Sequence, residues 1–171
     1  MKSIILCVAL IVFGATNLNA QEDAKTILEK ASAIAKDENK NVFIMFHASW
    51  CGWCKKMDKN MLSENTKKLF EDNYVIDHLT VKESQKNKHL ENPGAQAILE
   101  RYKGNDSGIP FWLIFDDRGK LIADSFNDKG ENLGCPATPE EVAVFIKKLK
   151  STSKLTDEEL KIISEQFIVR K

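Results

Sequence analysis

Between residues 23 and 36 the chain reads DAKTILEKASAIAK, which sets Ile27, Ala31 and Ile34 three or four residues apart on one helical face. The polar DENKN that follows reads as a turn. NVFIMFHA, from Asn41 to Ala48, is almost continuously apolar, the pattern of a strand covered on both sides. A helix is expected directly after it, running to about Asn60, and Ser63 is placed to cap a further helix through Phe70 and Glu71. YVIDHLTV, Tyr74 to Val81, is rich in β-branched and aromatic residues and reads as a second core strand. KESQKNKHLENPG is polar and reads as an exposed excursion, with Pro93 opening the helix AQAILERY. GIPFWLIF and KLIADSF make two strands joined by the turn DDRG. Thr138, Pro139 and Glu141 form a capping box with proline at the first helical position, and Val142, Phe145, Ile146 and Leu149 follow at helical spacing. Thr156 and Glu159 repeat the box before a last helix carrying Leu160, Ile163 and Phe167.

A strand, a crossover and a strand, followed by a hairpin, give a mixed α/β sheet with helices on both faces. The 171 residues, 43% of them hydrophobic, are enough for one core. Twenty-five basic residues are interspersed with twenty-five acidic ones, so no global field favours nucleic acid or an anionic membrane. The first twenty residues differ in kind. Lys2 precedes IILCVALIVF, an apolar run of signal-peptide length, shorter than the roughly 20 residues that span a bilayer. TNLNA offers cleavage after Ala20, although Leu18 is large for the position three residues before the cut. The expected division is therefore a signal peptide over 1–20, a main domain over 21–150 and a helical extension over 151–171. Such a protein is exported, and periplasmic if its source is bacterial; removing one base and no acid leaves 24 − 25 = −1.

Export changes the meaning of the cysteines. Cys7 falls in the leader, leaving Cys51, Cys54 and Cys135, an odd set that builds no disulfide framework. Cys51 and Cys54 stand in FHASWCGWCKKM and admit three readings: a redox centre, half a metal site or a structural staple. Zinc requires four ligands, and His47, His78, His89 and Cys135 supply no standard spacing. Haem attachment needs histidine after the second cysteine, where Lys55 stands. A staple closing so short a loop stabilises little. Redox chemistry is favoured.

SWCGWCKK at a strand end and helix start, and GIP about 55 residues further on, resemble the active-site segment and cis-proline loop of the thioredoxin superfamily. The resemblance covers roughly residues 38 to 150. Over CxWCKKM, LF..NYV, G.PFW and D..G the chain is similar to exported bacterial thioredoxin-like proteins of thiol:disulfide interchange and cytochrome c maturation. It implies a thioredoxin fold with an additional C-terminal helix. It also implies protein thiol and disulfide substrates and electrons from a membrane or soluble thiol donor, with no non-protein cofactor, no metal and a monomeric state. A cis Ile109–Pro110 bond would leave the Ile109 backbone beside the sulfurs, so Ile109, Pro110 and Trp53 are the expected substrate contacts.

Spacing supplies the chemistry. A thiol attacks as thiolate, and a free cysteine of pKa about 8.5 is only about 3% ionised at pH 7. At a helix N-terminus unpaired N–H groups face the sulfur of Cys51, and a pKa near 7 would make it about half ionised. Cys54, three residues on, lies beneath Cys51 and can attack its mixed disulfide. Cys51 is the expected nucleophile and Cys54 the resolving thiol.

The chain departs from thioredoxin in several places. Met45 stands where thioredoxin has a buried aspartate, six residues before the first cysteine, so the usual proton acceptor for Cys54 is missing. His78 falls at the place of a family lysine and reads either as a base or as a hydrogen-bonded surface histidine. His47 reads as packing. Gly52–Trp53 replaces the family's Gly-Pro, which leaves the direction of electron flow open while a reductase or isomerase is favoured over an oxidase. Trp50 is expected to pack under the site, Trp112 in the core and Trp53 at the surface. Cys135 reads as incidental, with a third redox thiol as the minority reading. A binding or chaperone module with an inert disulfide is the competing function.

Overall fold

Residues 21–169 are described in a computed structural model; the expected leader and its cleavage point lie outside the described residues. Asp23 caps the first helix, α1 (Ala24–Glu38), its carboxylate accepting from the N–H groups of Lys25 and Thr26. The buried stripe is Ala24, Ile27, Ala31 and Ala35. Ile34, expected on that face, is 47% exposed, because the four-residue step from Ile27 through Ala31 leads to Ala35.

Strand β1 (Asn41–His47) lies at the centre, buried on both sides as its continuous apolar run requires. It pairs in parallel with β2 (Tyr74–Thr80) and antiparallel with β3 (Phe111–Phe115), which pairs antiparallel with β4 (Leu121–Asp124). The sheet order is β2-β1-β3-β4. Alternation along β1 builds two cores. Val42, Ile44 and Phe46 meet α1 and α4 (Ala95–Arg101), whereas Phe43 and Met45 meet α2 (Gly52–Met61), α5 (Pro139–Thr152) and α6 (Asp157–Phe167).

Both capping boxes form, Thr138 with Glu141 and Thr156 with Glu159. Leu160, Ile163 and Phe167 of α6 are buried in the same core as Phe145 and Trp112, so this helix packs into the sheet's core. The expected start of α3 moves: it spans Lys67–Glu71. The carbonyl of Ser63 instead closes a turn, accepting from the N–H groups of Thr66 and Lys67. The buried Thr66 hydroxyl turns back to the carbonyls of Asn60 and Met61 at the end of α2. Likewise α4 starts after Gly94, whose φ of 81° suits glycine. Pro93 lies outside that helix, with its carbonyl accepting from Ala24 N–H at 2.8 Å.

Candidate active site

Cys51 is the N-cap residue of α2, in extended conformation, and is bonded to Cys54. The Cys54 N–H points at Cys51 Sγ from 3.1 Å, so an orphan donor of the first helical turn is spent on that sulfur. Both residues are almost fully covered, 2% and 1% exposed, by Ala48 and Ile109. The backbone on either side is open, since a Cβ added at Gly52 or at Gly108 would meet nothing within 4 Å.

The Ile109–Pro110 peptide is cis. The Ile109 carbonyl oxygen stands 3.5 Å from Cys51 Sγ. Asn132 braces this loop by donating through Nδ2 to the carbonyls of Gly108 (2.7 Å) and Pro110 (3.1 Å). A second brace comes from Lys82 and Glu83, at the start of the polar excursion. Lys82 Nζ donates to the carbonyls of Asn105 (2.8 Å) and Ser107 (2.6 Å), just ahead of Ile109. Its own carbonyl accepts from Trp50 Nε1 at 2.9 Å. Glu83, 8% exposed, accepts from the N–H and, at 2.9 Å, from the hydroxyl of Ser49. The excursion is therefore only partly exposed. Two adjacent residues tie the cysteine loop to the proline loop.

Trp53 is 53% exposed, with Lys56 Nζ 5.0 Å from its ring centroid. Trp112 is fully buried, its indole N–H donating to Gly134. Trp50, expected beneath the site, is 59% exposed instead, because its bond to the Lys82 carbonyl holds the indole along the surface. The disulfide is thus flanked by two exposed indoles.

Met45 is buried and pairs in register with His78 of β2. His78 Nε2 meets Asp58 Oδ1 of α2 at 2.8 Å. The His47 ring lies 5.1 Å from the His78 ring, and His47 Nε2 meets Thr80 Oγ1 at 3.1 Å. Burial holds the His47 pKa below its ordinary value, and His78 adds to this while Asp58 and Glu83 oppose it. Cys135 is a buried free thiol whose pKa burial pushes up to about 11, the charge of Lys56 partly opposing. It is a poor nucleophile at neutral pH.

The sequence reading singled out Cys51, Cys54, Ile109, Pro110 and Trp53, and these lie around one disulfide. It missed Lys82, Glu83, Asn132 and Asp58. Only Asp58 carried a signal, being one helical turn beyond Cys54. Among the described residues no group of three or more His, Cys, Asp or Glu side chains is placed to hold a metal ion. Nor is any described helix long and apolar enough to cross a membrane.

No curated protein matches the chain. Among solved structures it is similar to a disulphide isomerase from Xylella fastidiosa Temecula1, at 20% identity over 71% of this chain and 92% of that one, with a TM-score of 0.49. It is also similar to a DsbH oxidoreductase, at 24% identity over 91% and 96% with a TM-score of 0.46. A thioredoxin from Thermus thermophilus shares 21% identity over 71% and 80%, also with a TM-score of 0.46. The profile of the thioredoxin-like family matches residues 23–117. That match takes in β1, the cysteine pair at the start of α2 and the proline loop ahead of β3, and the chain belongs to the thioredoxin-like family.

Proposed function

We propose that this protein is an exported thiol–disulfide oxidoreductase that exchanges disulfides with protein substrates through Cys51 and Cys54. The observation that carries this reading is the placement of Cys51 Sγ, which receives the Cys54 N–H at 3.1 Å at the start of α2. A partial positive charge there stabilises a thiolate at Cys51 once the pair is reduced. In the reducing direction the Cys51 thiolate attacks a substrate disulfide and forms a mixed disulfide, releasing one substrate thiolate. Cys54 then attacks Cys51 Sγ, the internal disulfide forms, and the second substrate sulfur leaves with its electron pair. Two protein thiols are oxidised and one substrate disulfide is reduced. A thiol donor of higher reducing power restores the pair.

Substrate chain lies over the opening at Gly52 and Gly108, against the exposed Trp53 and the backbone of Ile109 and Pro110. Reductase or isomerase work is favoured, in a periplasmic or comparable compartment to which residues 1–20 direct the chain. Reduction of insulin by dithiothreitol tests this. The protein should accelerate it catalytically, and Cys51→Ser should abolish the acceleration. A binding module with an inert disulfide would leave the rate at its uncatalysed value.

A further inference from the structure

During resolution Cys54 must lose its proton, yet its residue is 1% exposed and water has little access to it. Met45, at the place of the family's acid and paired in register with His78, offers only a thioether, at best a weak acceptor. Four charged or titratable groups come into question, and one of them, His78, has its Nε2 engaged by Asp58. Glu83 has both carboxylate oxygens engaged by Ser49. His47 has Nε2 engaged by Thr80 and is partly buried. Asp58 differs. It stands four residues after Cys54 on α2, so their Cβ atoms lie about 5–6 Å apart on the same helical face. Side chains on a helix lean toward its N-terminus, the side on which Cys54 lies, and the carboxylate's partner His78 pairs in register with Met45. Oδ1 is taken by His78, while no described residue donates to Oδ2. One oxygen is anchored and the other is open to a further donor.

The geometry points to Asp58 as the group that takes the Cys54 proton, with His78 as the positioning residue that anchors its carboxylate. This assignment rests on the proposed roles of Cys51 and Cys54. In the step, the Cys54 S–H proton passes to Asp58 Oδ2 directly or across one water molecule. The sulfur's electron pair forms the bond to Cys51 Sγ. The bond between Cys51 and the substrate sulfur breaks, and that sulfur leaves as thiolate. Other groups face this pair: His47 from β1, Glu71 from α3 along the same crevice, Asp77 beside His78, and Cys135 with Lys56 on the side of the α5 approach. They add to the field around the pair without providing the acceptor.

The test begins with dithiobis(nitrobenzoate) and the reduced full-length protein. The Cys51 thiolate takes one half as a mixed disulfide and frees the first thionitrobenzoate, and single-turnover release of the second by Cys54 is followed from pH 5 to 9. Asp58→Asn should slow release about tenfold or more near pH 6.5. The deficit should close toward about pH 9, where a free thiol ionises unaided. Asp58→Glu should restore part of the rate, and His78→Gln should give a smaller loss in the same pH range. All three variants should still form the mixed disulfide at Cys51 to full stoichiometry, which separates proton acceptance from a disturbed fold. A wild-type protein that forms the adduct at Cys51 but releases it with a profile unaltered by Asp58→Asn would overturn the assignment alone. Failure of the wild type to release the adduct at all would instead remove the oxidoreductase reading beneath it.

Discussion

Glu83 accepts from both the N–H and the hydroxyl of Ser49, two residues ahead of Cys51, and so fastens the cysteine loop to the segment that follows β2. Its neighbour Lys82 fastens the same segment to the loop that leads into Ile109 and Pro110. The relative position of the disulfide and the proline loop is therefore set by two residues outside both motifs. Glu83→Ala leaves the Ser49 N–H without its partner and should cost about 1–3 kcal/mol in urea unfolding. Glu83→Gln keeps one acceptor and should cost less. Equal stability of all three proteins would show that the carboxylate does not brace the loop.

Cys135 should behave as a packing residue. Buried and with its pKa pushed up to about 11, it is protonated at neutral pH and shielded. With the Cys51–Cys54 bond intact, iodoacetamide at pH 7.5 should modify the folded protein far more slowly than a free cysteine. Cys135→Ala should leave insulin reduction unchanged. Rapid alkylation, or a variant that loses activity, would return Cys135 to consideration as a third redox thiol.

Alkaline pH should weaken the fold through Tyr74. Burial raises its pKa from 10.0 to about 12 despite the 2.7 Å contact between its hydroxyl and that of Thr152. The native state then holds a proton that the unfolded chain releases, so this contribution is complete below pH 10 and is lost as pH rises through 12. Cys135 acts in the same direction between 9.0 and about 11. Chemical denaturation at a series of alkaline pH values should show stability falling across this window. Tyr74→Phe should flatten the fall above pH 10, and an unchanged slope would contradict the assignment.

Most of the fold was legible because its signals are local. The apolar run of β1, the two capping boxes and the turn between β3 and β4 each report on neighbours in sequence. The cysteine pair was legible for the same reason, since its spacing and its position at a strand end carry the chemistry. Trp50 was misplaced because its exposure depends on one bond to the Lys82 carbonyl, 32 residues away. Glu83 was hidden inside a polar segment that reads as solvated, and nothing local marks it as a buried carboxylate. Asp58 was hidden by Met45, whose loss of an acid drew attention to the strand while a carboxylate stood on the neighbouring helix, bonded to the His78 that pairs with Met45.

The division of labour between the two cysteines is tested most directly by trapping. Cys51→Ser and Cys54→Ser variants would each be exposed to a protein disulfide, and the mixed disulfides resolved on non-reducing gels. With Cys54 gone, Cys51 can attack but cannot be released, so Cys54→Ser should accumulate adducts through Cys51. With Cys51 gone, the covered Cys54 should capture almost nothing. Equal trapping by both variants, or none by either, would contradict the assignment of Cys51 as the nucleophile of a disulfide-exchange centre.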